Sequence, residues 1–199
     1  MAMPVTVITY HHAMGRWEPD ARGRLAKAAM ELYGENGFEQ TTVAEIAARA
    51  GLTERTFFRH FADKREVLFY GMERLRDLLA RAVADAPGSA TAMDLVGAAF
   101  EAAAAMMQEN PERVRLRDAI VSANAELRER ELIKLAALAS AVATALRDRG
   151  VPEPGASLAA ETGVAVFKVA FARWVSAPGQ PDLPGIFRES MAELRGVLA

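Results

Sequence analysis

Apolar and polar residues alternate with a helical period along almost the whole chain. From residue 20 onward, apolar side chains recur three or four positions apart, and capping residues separate one such run from the next. A strand-like run at residues 5–10 is too short and too isolated to build a sheet. The pattern predicts an all-α protein of about nine helices.

Capping residues predict where each helix begins. Thr42 and Glu45 have the spacing of a capping box, in which the threonine oxygen accepts from the N3 amide and the glutamate from the N-cap amide. Asp63 and Glu66 have the same spacing and predict one long fourth helix that continues to Val83. The N-terminal boundaries are predicted at or next to Asp20, Thr42, Thr53, Asp63, Thr91, Asn110, Asn124, Ala156 and Pro184.

The segment at residues 40–64 has the pattern of a helix-turn-helix. Its two short predicted helices flank Gly51, which supplies a turn conformation that a side chain resists. Ile46, Phe57 and Phe61 are predicted to face a small core. The side chains left for solvent are rich in hydrogen-bond donors, as expected of a surface that contacts base edges and phosphates: Thr53, Arg55, Thr56, Arg59 and His60.

Charge is distributed unevenly between this segment and the rest of the chain. The whole sequence has 24 basic and 26 acidic residues, a formal charge of −2 that excludes a global basic excess. Residues 49–65 nevertheless contain five Arg or Lys against two acids, a local charge of +3 that leaves −5 for the remainder. The near-neutral total therefore conceals the basic footprint typical of a nucleic-acid-binding motif.

The run from Ala26 to Leu68 resembles the DNA-binding domain of TetR-family transcriptional regulators. The similarity is carried by LYGENGF at 32–38, TTV at 41–43, IA at 46–47, AGLT at 50–53, TFFRHF at 56–61 and Lys64. The resemblance implies a cytoplasmic homodimer whose two helix-turn-helix units enter successive major grooves of a palindromic, double-stranded DNA operator. It also implies a repressor that a small-molecule effector releases.

The resemblance assigns roles within the motif as well. Thr42 is expected to contact a phosphate, and His60 and Lys64 are expected to bind the DNA backbone. Phe58 occupies a position where the family often has a tyrosine, so the hydroxyl contact to phosphate is weakened or absent and the ring is left to pack on sugar. Four residues are expected to face the major groove: Thr53, Arg55, Thr56 and Arg59.

The sequence divides into an N-terminal arm at residues 1–19, the helix-turn-helix domain at 20–63 and a ligand-binding and dimerisation domain at 64–199. The fifth and eighth predicted helices are apolar on two faces, as expected of helices that border a cavity or a partner chain as well as the core. The predicted pocket for a small, mainly apolar ligand is lined by Met72, Leu75, Phe100, Met106, Met107, Leu138, Val142 and Phe167. The predicted dimer interface contains Phe171, Trp174, Phe187 and Met191.

Several classes of chemistry lack the residues that they need. The chain has no cysteine, which excludes disulfides and thiolate metal sites. It has neither a nucleophile paired with a base nor a phosphate-binding glycine loop, so no enzyme activity, catalytic residue or cofactor is predicted. His11 and His12 lack accompanying ligands, and no metal site is predicted. An arm that enters the minor groove with Arg16 stays open as an alternative use of these residues.

Two further expectations concern location and mode of action. The longest apolar helical stretch, residues 135–146, is shorter than the ~18 residues that a membrane span requires. Residues 1–15 also make a poor signal peptide, so a cytoplasmic protein without a membrane contact is expected. The alternative function is a helix-turn-helix protein that acts through protein–protein contacts without ligand control.

Overall fold

Nine α-helices form the fold of the described residues. The computed structural model describes residues 20–179 and 181–198, and the predicted arm at 1–19, with His11, His12 and Arg16, lies outside them. No strand occurs in this described part, and the prediction of an all-α chain of about nine helices is confirmed. The helices are α1 (Ala21–Asn36), α2 (Val43–Arg49), α3 (Glu54–His60), α4 (Met72–Asp85), α5 (Ala92–Gln108), α6 (Pro111–Ala123), α7 (Ala125–Asp148), α8 (Gly155–Ser176) and α9 (Leu183–Leu198).

The predicted capping residues begin the first helices at the expected positions. Asp20 accepts a hydrogen bond from the Gly23 amide at 2.8 Å and starts α1. Thr42 and Glu45 form the reciprocal capping box of α2, with the Glu45 carboxylate 2.8 Å from the Thr42 amide. Because each cap joins residues only three positions apart, the sequence alone contains the information for it.

The fourth helix begins later than the capping pattern predicts. Asp63 accepts from the Glu66 amide at 2.9 Å, but the turn that follows is a short 3-10 helix, Glu66–Phe69. Gly71 then adopts φ 100° and ψ −11°, a left-handed conformation that interrupts the hydrogen-bond ladder, and α4 starts only after it. The predicted continuous helix is therefore wrong over its first two turns.

Two clusters of buried apolar side chains divide the chain. The first joins α1, α2, α3 and the 3-10 helix, and it also takes in Val121 of α6 and Leu127 of α7. The second fills the space between α4, α5, α7, α8 and α9. Val67 and Phe69 belong to the first cluster, so the segment after residue 63, where the sequence predicts the end of the N-terminal domain, still packs with that domain.

α8 is the central helix of the C-terminal domain. It packs against α5, α7 and α9, and Gly163 brings it close to α5, since a Cβ there would lie 2.4 Å from Val96 Cγ1 and 2.6 Å from the Phe100 ring. Contrary to the sequence-based expectation, α8 is long and apolar enough, by length and composition only, to cross a membrane. Its buried residues pack among three neighbouring helices, which is the position of a core helix.

Three of the four residues predicted at the dimer interface lie inside the protomer. Trp174 is fully buried, and its indole nitrogen donates to the Pro181 carbonyl at 2.9 Å. Phe187 and Met191 are 1 % and 6 % exposed and pack in the second cluster, so they are unavailable to a partner chain. Phe171 is the partly exposed member of the set. The prediction was wrong because helical spacing shows that α8 and α9 have two apolar sides without showing which side the same chain covers.

Candidate nucleic-acid interface and ligand cavity

α2 and α3 form the helix-turn-helix unit, and Gly51 turns the chain between them with φ 67°. Phe57 on the inner side of α3 is fully buried. Arg55, Phe58 and Arg59 are exposed on the outer side, and the Phe58 ring is 56 % exposed. The outer surface of α3 therefore presents two guanidinium groups and one aromatic ring to solvent.

Ion pairs within the protein neutralise part of the local basic charge. Arg49 forms an ion pair with Glu35 at 2.7 Å, and Arg65 forms one with an α7 carboxylate at 3.1 Å. By contrast, the side chains of Arg55 and Arg59 have no hydrogen bond or ion pair within residues 20–179 and 181–198. These two exposed cations are available to a phosphate or a base edge.

The threonine hydroxyls of the motif are bonded to one another or to helix caps. Thr53 Oγ1 lies 3.1 Å from Thr56 Oγ1 and accepts from the Thr56 amide at 3.2 Å. Thr42 donates both its hydroxyl and its amide to Glu45, each at 2.8 Å. A phosphate contact through Thr42 therefore requires Glu45 to give up one of these bonds, a competition that the sequence motif does not reveal.

Lys64 has a different role from the DNA-backbone contact that was expected of it. Its Nζ donates to the carbonyl oxygens of Phe38, Glu39 and Thr41 at 2.9, 3.1 and 3.1 Å, and it lies 4.7 Å from the centroid of the Phe38 ring. An ammonium group has three hydrogens, and all three are used on the segment between α1 and α2. Lys64 therefore ties that segment to the residues that follow α3, and the expected phosphate contact has no free donor.

One polar side chain, Tyr33, and one ring nitrogen of His60 are also buried nearby. The Tyr33 hydroxyl donates to the Lys64 carbonyl at 2.7 Å, and burial, followed by the Asp63 carboxylate, raises the pKa of Tyr33 well above its usual range. This tie was missed because its acceptor is a backbone carbonyl far along the chain. The Nε2 atom of His60 is buried and has no hydrogen-bond partner in the described residues, so that atom is not exposed to a phosphate.

A cavity of about 580 Å³ lies among α4 to α8 and reaches α1 and the 3-10 helix. Val142, one of the residues predicted to line a ligand pocket, is instead fully buried in the second cluster. A cavity of this volume with a mainly apolar wall is typical of a small-molecule site. The other predicted lining residues all border the cavity: Met72, Leu75, Phe100, Met106, Met107, Leu138 and Phe167.

Charged side chains in the cavity wall were largely missed by sequence reasoning. Arg117 forms an ion pair with Glu131 and donates to the Leu68 carbonyl at 3.2 Å. Asp118 lies beside this pair. Burial raises the pKa of its carboxyl most, and the like charge of Glu131 raises it further. No apolar stripe marks α6, so its cavity side could not be located from periodicity. The other charged lining residues are Arg22, Glu73, Arg74, Glu109, Arg113 and Lys168.

The described part of the chain offers no metal centre. No group of three His, Asp or Glu side chains is placed there to hold a metal ion. His60 is the one histidine among the described residues.

Comparison with known proteins bears first on the helix-turn-helix unit. Residues 25–70 match the family described as bacterial regulatory proteins of the tetR family. This segment is a TetR-type helix-turn-helix domain. The HTH-type transcriptional regulator TcmR of Streptomyces glaucescens is 35 % identical to it over 81 residues, which are 41 % of this chain and 36 % of TcmR. The sequence match therefore spans little more than a third of that relative.

Solved structures extend the likeness in fold to the C-terminal domain. FadR of Bacillus subtilis, in complex with stearoyl-CoA, superposes on this chain with a TM-score of 0.63 at 20 % identity. The alignment covers 87 % of this chain and 97 % of FadR. SmeT, the repressor of the Stenotrophomonas maltophilia multidrug efflux pump SmeDEF, superposes with a TM-score of 0.59 at 22 % identity. That alignment covers 88 % of this chain and 89 % of SmeT. At these identities the likeness shows a shared fold.

Proposed function

We propose that this chain is a cytoplasmic transcriptional repressor of the TetR family that binds a palindromic DNA operator as a homodimer. The observation that carries the proposal is the outer surface of α3, where Arg55 and Arg59 are exposed and unpaired within the described residues. Guanidinium groups in this position bind guanine edges in the major groove. Thr53 and Thr56 add hydroxyls to the same surface, and Phe58 is available to pack on sugar.

Selection of bound sites from a random duplex library tests this assignment. Arg55→Ala and Arg59→Ala should each cost about 1–3 kcal/mol per half-site and relax specificity at one position. Arg76→Ala is the matched control, because Arg76 is an exposed α4 arginine beside Asp77, and it should leave the recovered site unchanged. Recovery of the wild-type site with wild-type affinity by both α3 variants would place the recognition surface elsewhere.

The same experiment separates the alternative function. A wild-type protein that retains no duplex above background would contradict DNA binding. It would favour a helix-turn-helix protein that acts through protein–protein contacts, for which the 56 % exposed ring of Phe58 is the best support.

The proposed dimer uses an exposed stripe on α8 in place of the buried residues first predicted. Leu158 and Val169 are 64 % and 56 % exposed, and Ala165 and Ala172 are exposed on the same side at heptad-like spacing. An apolar stripe of this kind needs cover that one protomer does not supply. We infer that a second copy of the chain covers it, because two half-sites one helical turn apart require two helix-turn-helix domains.

Sedimentation at micromolar concentration tests the dimer. Val169→Asp should give monomers that lose operator affinity, because a charge would be buried in the proposed interface. Ile133→Asp is the matched control, since Ile133 is a 70 % exposed aliphatic residue on α7 outside the stripe. A wild-type monomer, or a Val169→Asp variant that stays dimeric, would contradict this interface.

The proposed effector binds in the 580 Å³ cavity and weakens operator binding. The wall includes Met106 and Met107, whose flexible side chains suit a pocket that adapts to its ligand. The stearoyl-CoA complex of FadR supports a ligand with a long apolar part. A coupling free energy of about 1–3 kcal/mol between effector and operator is expected.

Thermal unfolding tests the effector site. Apolar compounds that bind the cavity should raise the melting temperature and release the operator in the same concentration range. Compounds that stabilise the protein while leaving operator affinity unchanged would contradict ligand control and leave the DNA-binding assignment intact.

A further inference from the structure

The charged residues around the cavity do not balance one another. Two of the five cations in its wall are paired with acids of the same wall, Arg22 with Glu73 at 2.9 Å and Arg117 with Glu131. Two acids of the wall have no hydrogen bond or ion pair within the described residues: Glu109 and Asp118. Three cations, from three different helices, are likewise without such a partner there: Arg74 of α4, Arg113 of α6 and Lys168 of α8.

Arg22 is the cation best placed to bind an acidic group of a ligand. It belongs to α1, lines the cavity, and lies 5.5 Å from the ring centroid of Phe61 and 5.6 Å from that of Tyr70. Its Nε atom is buried without a hydrogen-bond partner in the described residues, although buried polar atoms are normally bonded. Because the two rings restrict the guanidinium, a carboxylate or phosphate would find it preorganised.

We propose that the ligand of this cavity is an amphipathic anion whose apolar chain fills the cavity and whose carboxylate or phosphate binds Arg22 in competition with Glu73. The inference rests on the proposed function, which makes the cavity an effector site, and it adds the chemical class of the ligand and its anchor. Competition is feasible because the Arg22–Glu73 pair is solvent-accessible, with side chains 42 % and 71 % exposed, and exposed pairs are weak.

The remaining charges of the wall agree with an anionic head group. Arg74, Arg113 and Lys168 add three positive charges without a partner in the described chain. Glu131 is neutralised by Arg117. Burial raises the pKa of Asp118, so this carboxyl repels an anion less than an exposed aspartate would. Two exposed acids of the wall oppose the head group: Glu109, and Glu73 once it has lost Arg22.

Four decyl compounds that share one tail and differ in the head group test the ligand class. Decanoate, decyl phosphate, decanol and decyltrimethylammonium are titrated into the full chain by calorimetry, below their micelle concentrations. At least one anion should bind about tenfold more tightly than decanol, and the cation should bind more weakly than decanol. The tighter of the two anions distinguishes a carboxylate ligand from a phosphate ligand. Tightest binding of decyltrimethylammonium, or equal binding of all four, would overturn the proposal.

Two substitutions of opposite sign test the anchor. Arg22→Gln should weaken binding of the preferred anion about tenfold and leave the decanol affinity unchanged. Glu73→Gln should tighten binding of the same anion severalfold, because it removes the competitor, and a merely structural role of Glu73 would not produce this gain. Arg76→Gln on α4 is the control with no expected effect. Anion affinity that neither substitution changes would overturn the role of Arg22.

Operator binding measured in the same samples distinguishes the proposal of ligand control from the proposal of an anionic ligand. An anion that depends on Arg22 but leaves operator affinity unchanged would support the anchor and contradict ligand control. Operator release by an uncharged or cationic ligand would support ligand control and overturn the anionic class.

Discussion

The two ends of α4 are held in different ways. At the C-terminal end, Arg149 donates to the carbonyl oxygens of Ala84, Ala86 and Pro87 at 2.6, 2.8 and 2.9 Å. At the N-terminal end, the helix follows Gly71, has no side-chain cap and is joined to α1 through the exposed pair of Arg22 with Glu73. One charged group with several acceptors holds the first end, whereas the second has a solvent-accessible ion pair to α1 and the apolar contact of Met72 with the first cluster.

This difference indicates where α4 moves. Charge-assisted hydrogen bonds to several carbonyls are strong, and exposed ion pairs contribute little. We therefore expect the end near Arg149 to act as the pivot of any movement of α4, and displacement to occur near Gly71, beside the N-terminal domain. Gly71 and Met72 also line the cavity, so a ligand bound there would act on the end of α4 that is easier to move.

The largest effect is expected from removal of the pivot. Arg149→Ala leaves these carbonyl oxygens without their shared donor and should lower the free energy of unfolding by about 2–3 kcal/mol. For a chain of this size that corresponds to roughly 5–10 °C in melting temperature. Arg81→Ala is the control, because Arg81 is exposed and donates within its own helix to the Asp77 carbonyl. Equal melting temperatures for the two variants would remove the distinction between the two ends.

A smaller effect is expected at the moving end. Gly71→Ala places a Cβ at φ 100° and should cost about 1–2 kcal/mol in unfolding experiments, because side chains strain this conformation. Gly88→Ala is the matched control, since a Cβ at Gly88 would meet no atom within 4 Å and the residue has no positive φ. A neutral Gly71→Ala variant would mean that the segment before α4 adjusts freely, which would sharpen the contrast with the Arg149 end.

The ion pair at the moving end should matter little for stability. Glu73→Gln removes the partner of Arg22 and should change the free energy of unfolding by less than about 1 kcal/mol. Denaturant unfolding at low and high salt checks this, because screening should shrink the difference further. A loss as large as that of Arg149→Ala would show that the two ends are held equally firmly.

The smallest effect is expected at Asp118 and depends on pH. Burial raises the pKa of this carboxyl in the folded chain, and Glu131 raises it further while Arg117 opposes the shift. An acid whose pKa is higher in the folded state destabilises the fold when ionised, so Asp118→Asn should slightly raise the melting temperature at pH 7. The gain should disappear as the pH falls through the raised pKa towards the ordinary value. A gain that persists at low pH would assign the effect to packing.

Most local structure of the DNA-binding domain could be predicted from the sequence. The cap and the turn formed by Thr42, Glu45 and Gly51 involve residues only three or four positions apart. Their spacing in the sequence is therefore enough to predict them. The role of Lys64 could not be predicted, because its acceptors are backbone carbonyls 23 to 26 residues away. A carbonyl has no sequence signature, and the same limit applies to Arg149, whose acceptors lie more than 60 residues earlier.

The C-terminal domain was predictable in a different respect. The Met and Phe side chains of α5 and α8 were expected to line a cavity, and Phe100, Met106 and Phe167 do lie in its wall. Trp174 and Phe187 were assigned to a partner chain but are covered by their own. Helical periodicity gives the faces of a helix and not its neighbours, and a choice between two apolar faces requires the tertiary arrangement.

Part of the cavity wall belongs to the DNA-binding domain. Arg22 and Met30 of α1 and Val67 and Leu68 of the 3-10 helix border the same space as the C-terminal helices. The two domains are therefore not interchangeable modules. A chimera that joined another helix-turn-helix domain to this C-terminal domain would change the outer surface of α3 and, at the same time, part of the cavity wall. Under the proposed function, a substitution in α1 that alters DNA binding would for the same reason be exposed to selection on effector binding.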